Sequence, residues 1–181
     1  MSTAAFEHGI LWTEEEFLAL GETSDRVELF DGSLHVTPSA SVHHQRCSYR
    51  LHVALDGAAA AAGLEVLENI NVRLRPDRIP ISDLAITEPI PTDRLVVDAA
   101  LVRLVCEIVS PSNAATDPVL KMHYYAEAGI AWYLLVEQQP SSLSLFRLEG
   151  EHYTLHAKAE VGSLLHMDEP VRVSIDPGML G

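Results

Sequence analysis

The segment 100–109, ALVRLVCEIV, is apolar at nearly every position. A strand with one face in water alternates apolar and polar side chains, whereas a strand covered on both faces reads as a continuous apolar run. We therefore predict a central strand here. Residues 130–137, IAWYLLVE, predict a second buried strand, and a helical pattern over about 118–128 lies between the two. This order is typical of an α/β protein.

The rest of the chain predicts a mixed, curved sheet with two main helices against it, in one domain over residues 1–181. The first of these helices covers about 42–62, with apolar residues at helical spacing: Cys47, Leu51, Ala54, Leu55 and Ala58. Strands are predicted at 65–75, with Val66, Ile70, Val72 and Leu74 on one face, and at 81–87. A hairpin with its turn at Glu149-Gly150 and a strand at 171–175 end the chain.

An N-terminal β-hairpin is predicted over residues 26–37, RVELFDGSLHVT. Asp31-Gly32 between two alternating runs is a strong two-residue turn signal. The resulting register pairs Glu28 with His35 on one face, while the apolar residues share the other. Glu28 is therefore expected outside the main core. Before the hairpin, Thr13 and Glu16 have the spacing of a capping box and predict a short helix.

Charge and cysteine content limit the function classes. The net charge is −14 and the chain has only two lysines, which argues against tight binding of duplex DNA through a basic patch. A local arginine cluster or bound metal ions would still allow contact with nucleic acid. Cys47 and Cys106 predict buried free thiols in a reducing compartment. Without an apolar run long enough to span a bilayer, and without a signal-peptide pattern, we expect a soluble cytoplasmic protein.

Three carboxylates interrupt apolar strands: Glu28, Asp83 and Glu107. Each alone could pair on an exposed face. Glu107 is the exception, because a carboxylate among apolar neighbours is costly to bury unless it is paired, protonated or metal-bound. Strand ends hold such groups rigidly, and carboxylates with water are the usual ligands of Mg²⁺.

Two other residue sets leave alternatives open. Lys121 follows in the first turn or so of a helix, where it is either a solvated residue or a cation for a phosphate. His35, His43 and His44 suggest a second metal hypothesis, because carboxylates with imidazoles suit zinc, iron or manganese. However, His43 and His44 are adjacent and point about 100° apart on a helix.

An ordered set of motifs resembles a known family. The set is RVELFDGSL, the PS…HHQR helix start, ISDLAIT, VCEIVSPS, and D…K…YYAEAGIAWYLLVE. Together they are similar to the large bacterial restriction endonuclease family within the PD-(D/E)XK nuclease superfamily. The similarity runs from about Trp12 to the closing DPGML. It implies a restriction endonuclease-like fold and metal-dependent cleavage of phosphodiester bonds.

The resemblance also implies roles for individual residues. Asp83 matches the first acid of the superfamily motif, Glu107 the second, and Glu28 an additional glutamate of the hairpin. His44 and Gln45 match the histidine and glutamine at the helix start. Two positions depart from the pattern. Val109 stands where the superfamily has its lysine, and Ser82 precedes Asp83 in place of a proline. Lys121 would supply the missing cation from the next helix.

These observations give one hypothesis and two alternatives. Asp83, Glu107 and the Ile108 carbonyl hold Mg²⁺ or Mn²⁺, Lys121 orients a water, and Glu28 binds a second ion or positions the first. His44 and Gln45 support these ligands. DNA is the expected substrate, and a homodimer through the hairpin at 143–157 is expected by analogy. The alternatives are an inactive binding protein on a nuclease fold and a metal hydrolase of small phosphodiesters.

Overall fold

Twelve strands and three α-helices form the part of the chain that the computed structural model describes, residues 11–23, 25–109 and 117–181. The helices are α1 (Glu14–Ala19), α2 (Val42–Ala61) and α3 (Asp117–Glu127). The strands are β1 (Arg26–Phe30), β2 (Ser33–Thr37), β3 (Glu65–Arg73), β4 (Arg78–Ile79), β5 (Ile81–Thr87), β6 (Val96–Asp98), β7 (Val102–Val109), β8 (Trp132–Gln138), β9 (Ser141–Glu149), β10 (His152–Glu160), β11 (Leu165–Met167) and β12 (Val173–Ile175). No helix in these ranges is long and apolar enough to cross a bilayer.

The main sheet has seven strands in the order β10-β9-β8-β7-β5-β3-β6. Strands β7 and β8 run parallel, as do β3 and β6, and the other neighbours are antiparallel. The mixed sheet and the central place of β7 are confirmed. Buried residues of α2, including Leu51, pack on one face in one core cluster, and Tyr125 of α3 packs on the other face in a second cluster. The sheet therefore lies between the two main helices.

The N-terminal hairpin has the predicted register, with Glu28 opposite His35 and a turn at Asp31 and Gly32. Gly32 has a φ of 79°, and a Cβ at this position would lie 2.7 Å from Cβ of Leu11, so glycine is required here. Strand β4 pairs with β1 to make a small three-stranded sheet. The capping box of Thr13 and Glu16 is also confirmed at the start of α1.

Strand β3 departs from the predicted alternation at Asn69, which has a φ of 52°. Val66 before this residue packs in the α2-side cluster, whereas Ile70 and Val72 after it pack in the α3-side cluster. The prediction that they share one face was wrong, because a residue in the left-handed region interrupts the two-residue period of a strand.

Three smaller expectations need correction. On α2, Ala54 is exposed and Ala59 is buried in its place. The loop between β9 and β10 is Gly150 with Glu151, one residue later than predicted. The final strand β12 pairs with β11, which the sequence pattern did not reveal. The loop predicted after β7 lies in residues 110–116, outside the described residues.

Candidate active site

Strands β5 and β7 separate at the position where the first two acids stand. Their pairing begins with Thr87 opposite Val102, continues after a register shift at Ile86 opposite Leu104, and ends with Leu84 opposite Cys106. Asp83 and Glu107 are the next residues on the two strands, so the register places them opposite each other just beyond the last pair. Ala85 and Val105, which share their side of the sheet, pack in the α3-side cluster. The two acids therefore lie at the same end of the paired strands, where Glu107 contacts Lys121 and Tyr125 of α3 and Asp83 contacts His44 of α2.

Asp83 is held as a carboxylate by three donors. Nη1 and Nη2 of Arg26 each lie 3.0 Å from Oδ1, His44 Nε2 lies 3.1 Å from Oδ2, and the Ile108 amide donates to Oδ2 at 2.9 Å. Burial alone would raise the pKa of Asp83, but the bond to His44, the charge of Arg26 and the Ile108 amide outweigh it and lower the pKa to about 2. Asp83 is therefore ionised at neutral pH.

Glu107 has the opposite ionisation behaviour. Its side chain accepts a hydrogen bond from Tyr125 at 2.7 Å on Oε1, and Lys121 Nζ lies 3.4 Å from Oε2. Complete burial and the nearby charge of Asp83 together raise the pKa of Glu107 to about 8, against the lowering effects of Lys121 and of the Tyr125 hydrogen bond. The Lys121 contact has ion-pair geometry, but desolvation by burial is the larger effect, and Lys121 lies nearer to a second acid. Glu107 is thus mainly protonated at neutral pH.

Glu28 is that nearer acid. Lys121 Nζ lies 2.9 Å from Glu28 Oε1 and also donates to the Ile81 carbonyl at 3.0 Å, while the Ile81 amide donates to Glu28 Oε1 at 2.8 Å. Glu28 is only 2% exposed. It lies outside the main core as expected, but it is buried in a polar cluster that joins the hairpin, β5, β7 and α3.

The donor set suits a hard divalent cation in part. Asp83 and Glu107 supply carboxylate oxygens, and a cation would remove the cost of ionising buried Glu107. Both oxygens of Asp83 already accept hydrogen bonds, so a cation there would have to displace Arg26 or His44. Within the described ranges, no group of three His, Cys, Asp or Glu side chains is arranged to hold an ion.

Comparison with known proteins identifies the family. A sequence model described as "Uma2: Putative restriction endonuclease" matches residues 14–176. The chain belongs to this family. The crystal structure of a protein described as "a putative nuclease belonging to DUF820", from Anabaena variabilis, matches with a TM-score of 0.75 and 14% identity over 93% of this chain and 96% of that chain. No curated protein matches the sequence.

Membership of the Uma2 family and the structural match confirm the restriction endonuclease-like fold. The structure brings five of the residues named from the sequence into one cluster: Glu28, His44, Asp83, Glu107 and Lys121. Ile108 contributes its amide to Asp83.

Three other residues named from the sequence form no hydrogen bond or ion pair with the acids among the described residues, although one of them, His35, is the cross-strand neighbour of Glu28. Gln45 is exposed on α2, and no side-chain bond from it to the acids occurs in the described part of the chain. His35 lies edge-on to Phe30, with ring centroids 5.2 Å apart. His43 is half-buried, and no contact of it with the acids occurs among the described residues. The zinc-type histidine hypothesis is therefore not supported by a cluster.

Two residues of this cluster, Arg26 and Tyr125, were not predicted from the sequence. Each had a spacing signal. Arg26 stands two residues before Glu28 on the same face of β1, and Tyr125 stands four residues after Lys121 on the same face of α3. This spacing places each residue near one that was named from the sequence, but it does not reveal the contact with Asp83 or Glu107.

Proposed function

We propose that this chain is a metal-dependent nuclease that hydrolyses phosphodiester bonds of DNA. The observation that carries the proposal is the placement of Asp83 and Glu107 directly beyond the last paired residues of β5 and β7, with a buried lysine against Glu107. Two acids and a cation at one point are what hydrolysis of an anionic ester needs. Membership of the restriction endonuclease family supports the choice of phosphodiester chemistry.

Asp83, Glu107 and the Ile108 carbonyl would hold Mg²⁺ or Mn²⁺. A bound divalent cation supplies a water of lowered pKa and neutralises charge on the scissile phosphate. The two acids differ in their ionisation before a cation binds. Asp83 is already ionised, whereas Glu107 would have to release its proton.

Lys121 would orient the attacking water, and Glu28 would fix Lys121 through their 2.9 Å contact or steer an ion. His44 would hold the carboxylate of Asp83 in place. Gln45 remains a candidate supporting residue only if its exposed side chain turns toward the site when substrate binds.

The test is cleavage of plasmid and single-stranded DNA with Mg²⁺ or Mn²⁺ by Asp83→Asn and Glu107→Gln. We expect each variant to lose activity by about a hundredfold or more, because each removes charge that would hold the cation. Glu88→Gln is the matched control, since Glu88 is an acid paired with Arg103 at the surface. Full activity in both site variants would refute the assignment.

A second candidate is a binding protein that has lost catalysis. It is favoured by Val109 at the usual lysine position and by the pairing of cations. Eight of the twelve lysines and arginines form ion pairs with acids, so few remain for phosphates. Calorimetric titration with Mg²⁺ and Mn²⁺ discriminates between the two, since failure to bind at millimolar metal favours the inactive protein. A third candidate, a hydrolase of small phosphodiesters, would cleave short nucleotide esters but not the DNA substrates.

The remaining expectations belong to the same proposal. We propose one domain over residues 1–181 and a cytoplasmic location, the latter because both cysteines are free and buried. A homodimer would use the C-terminal hairpin, whose strand β10 is an edge of the main sheet and exposes Leu155. Light scattering on wild type and Leu155→Glu tests the dimer, and a monomeric wild type would refute it.

A further inference from the structure

The two cations that contact the acids, Lys121 and Arg26, differ in their exposure to solvent. Lys121 is 3% exposed and bound to Glu28, Glu107 and the Ile81 carbonyl, so its ammonium cannot leave without breaking these contacts. Arg26 differs, because 21% of its side chain is exposed while its guanidinium contacts Asp83. A substrate phosphate would therefore meet Arg26 first.

Arg26 lies in the wall of a cleft of about 410 Å³. The cleft borders the acids through Arg26 and Ile81, whose backbone contacts Glu28 and Lys121. Its wall has apolar and polar side chains in equal number, and the apolar ones are Phe17, Leu18, Leu20, Val27, Ile81 and Leu95. Its volume lies within the roughly 300–1,000 Å³ of small-molecule sites.

The polar lining contains groups that lack a partner. Among the described residues, Arg26 Nε and Asn71 Oδ1 are buried without a hydrogen bond, while Asn71 Nδ2 donates to the Leu95 carbonyl at 3.0 Å. Asn69 also lines the cleft and accepts from Arg26 at 3.1 Å. Both atoms are shielded from solvent, so a ligand in the cleft would bond to them only if Arg26 or Asn71 changed its side-chain position.

The charge of the cleft limits what it can hold. Glu22 and Asp25 are exposed lining residues, whereas Arg26 is the one cation among the lining residues described. A polyanion running along the cleft would pass both carboxylates. A ligand with one phosphate beside Arg26 and a neutral remainder against the apolar wall avoids them.

We propose that this cleft is a nucleotide subsite, in which Arg26 contacts the phosphate and the base packs on the apolar wall near Leu95. The inference rests on the proposed nuclease function and names its substrate unit, the nucleotide that flanks the scissile bond. A base can enter such a pocket only when it is unstacked. The subsite therefore favours single-stranded DNA or a strand end over an intact duplex.

The larger cleft near α3 fits this role less well. It has a volume of about 660 Å³ and is lined by Arg75, Arg78 and Tyr124, among others. Both arginines contact Asp31, and Arg78 also pairs with Glu127 and lies over the Tyr124 ring. None of the three acids is in the described lining of either cleft, but only the smaller cleft is lined by residues that contact them, Arg26 and Ile81.

The test is calorimetric binding of 5′-deoxyadenosine monophosphate, deoxyadenosine and inorganic phosphate to the full chain in EDTA. We expect the nucleotide to bind at least about tenfold more tightly than inorganic phosphate, because the apolar wall adds contact area. Arg26→Gln and Leu95→Glu should each weaken nucleotide binding by about tenfold or more, since one removes the phosphate contact and the other adds a like charge. Deoxyadenosine binding should fall only in Leu95→Glu.

Arg103→Gln is the matched control, because Arg103 is a surface arginine paired with Glu88 far from the lining. Leu95 is 45% exposed, so Leu95→Glu keeps the test valid if Arg26→Gln fails to fold. Equal binding of phosphate and nucleotide, or nucleotide binding that Leu95→Glu leaves unchanged, would overturn the subsite. DNA cleavage that requires Asp83, without the binding pattern, would leave the nuclease standing and refute the subsite. Nucleotide binding with the expected pattern, but without any DNA cleavage, would leave the subsite standing and refute the nuclease.

Discussion

Replacing Glu107 by glutamine should change how stability depends on pH. In the folded protein, burial raises the pKa of Glu107 to about 8, compared with an ordinary value of 4.5. Glutamine resembles the protonated form, since it is neutral and keeps an oxygen that can accept the hydrogen bond from Tyr125. The variant therefore removes the ionisation and retains most of the packing.

The sign of the effect follows from proton binding. Between pH 4.5 and about 8 the folded state holds a proton on Glu107 that the unfolded state has released. Stability of the wild type therefore falls as pH rises through this window. Each pH unit costs up to about 1.4 kcal/mol, so the whole window costs roughly 3–5 kcal/mol. The ionisation of Asp83 does not interfere, because its pKa lies at about 2.

The assay is urea unfolding of the wild type and Glu107→Gln at pH 5, 6, 7 and 8 in EDTA. The free energy of unfolding of the variant minus that of the wild type should grow by a few kcal/mol from pH 5 to pH 8. Glu88→Gln, at a surface acid, should give a flat difference. A difference for Glu107→Gln that is also flat would refute the claim that Glu107 is buried as a neutral acid.

Three further predictions follow from the structure. Asp83→Asn should lower the free energy of unfolding by on the order of 2 kcal/mol at pH 7, because the pKa of Asp83 is lowered to about 2 in the folded protein. This loss should vanish as pH falls from 3.8 toward 2, and a loss that does not depend on pH in urea unfolding would contradict the prediction. Lys121→Met should reduce DNA cleavage by about a hundredfold, and adding Val109→Lys to that variant should restore part of the activity. Unreduced cleavage by Lys121→Met would exclude Lys121 from the site. Gly32→Ala should destabilise the fold by about 1–3 kcal/mol because of its φ of 79° and the clash with Leu11, and an unchanged thermal midpoint would count against the turn geometry.

The secondary structure was largely predictable because most elements follow a local rule. The hairpin register follows from a two-residue turn and a two-residue period, and α1 follows from its capping box. The pattern failed at Asn69, because an asparagine that adopts a left-handed conformation within a strand has no local sign in the residues around it. The same limit hid the pairing of β11 with β12, which are only three residues each.

The acids of the candidate site were predictable because a carboxylate in a buried strand conflicts with its surroundings. Glu107 shows this most clearly, with apolar neighbours on both sides along β7. Arg26 gave no such conflict, since an arginine at the start of a strand is ordinary. Its role depends on how the hairpin docks against β5, which is tertiary packing that no local pattern encodes.

The proposed replacement of a strand lysine by Lys121 of α3 would make the hairpin part of the site. A lysine at position 109 would stand on the same face of β7 as Glu107 and would need no other element to place it. With Val109 there, the ammonium comes from Lys121 on α3, which packs on that face of the sheet. Lys121 is held by the Ile81 carbonyl and, most closely, by Glu28 of β1. The position of the cation beside Glu107 therefore depends on the docking of the hairpin, and Glu28 has a physical reason to be present whether or not it ever binds an ion.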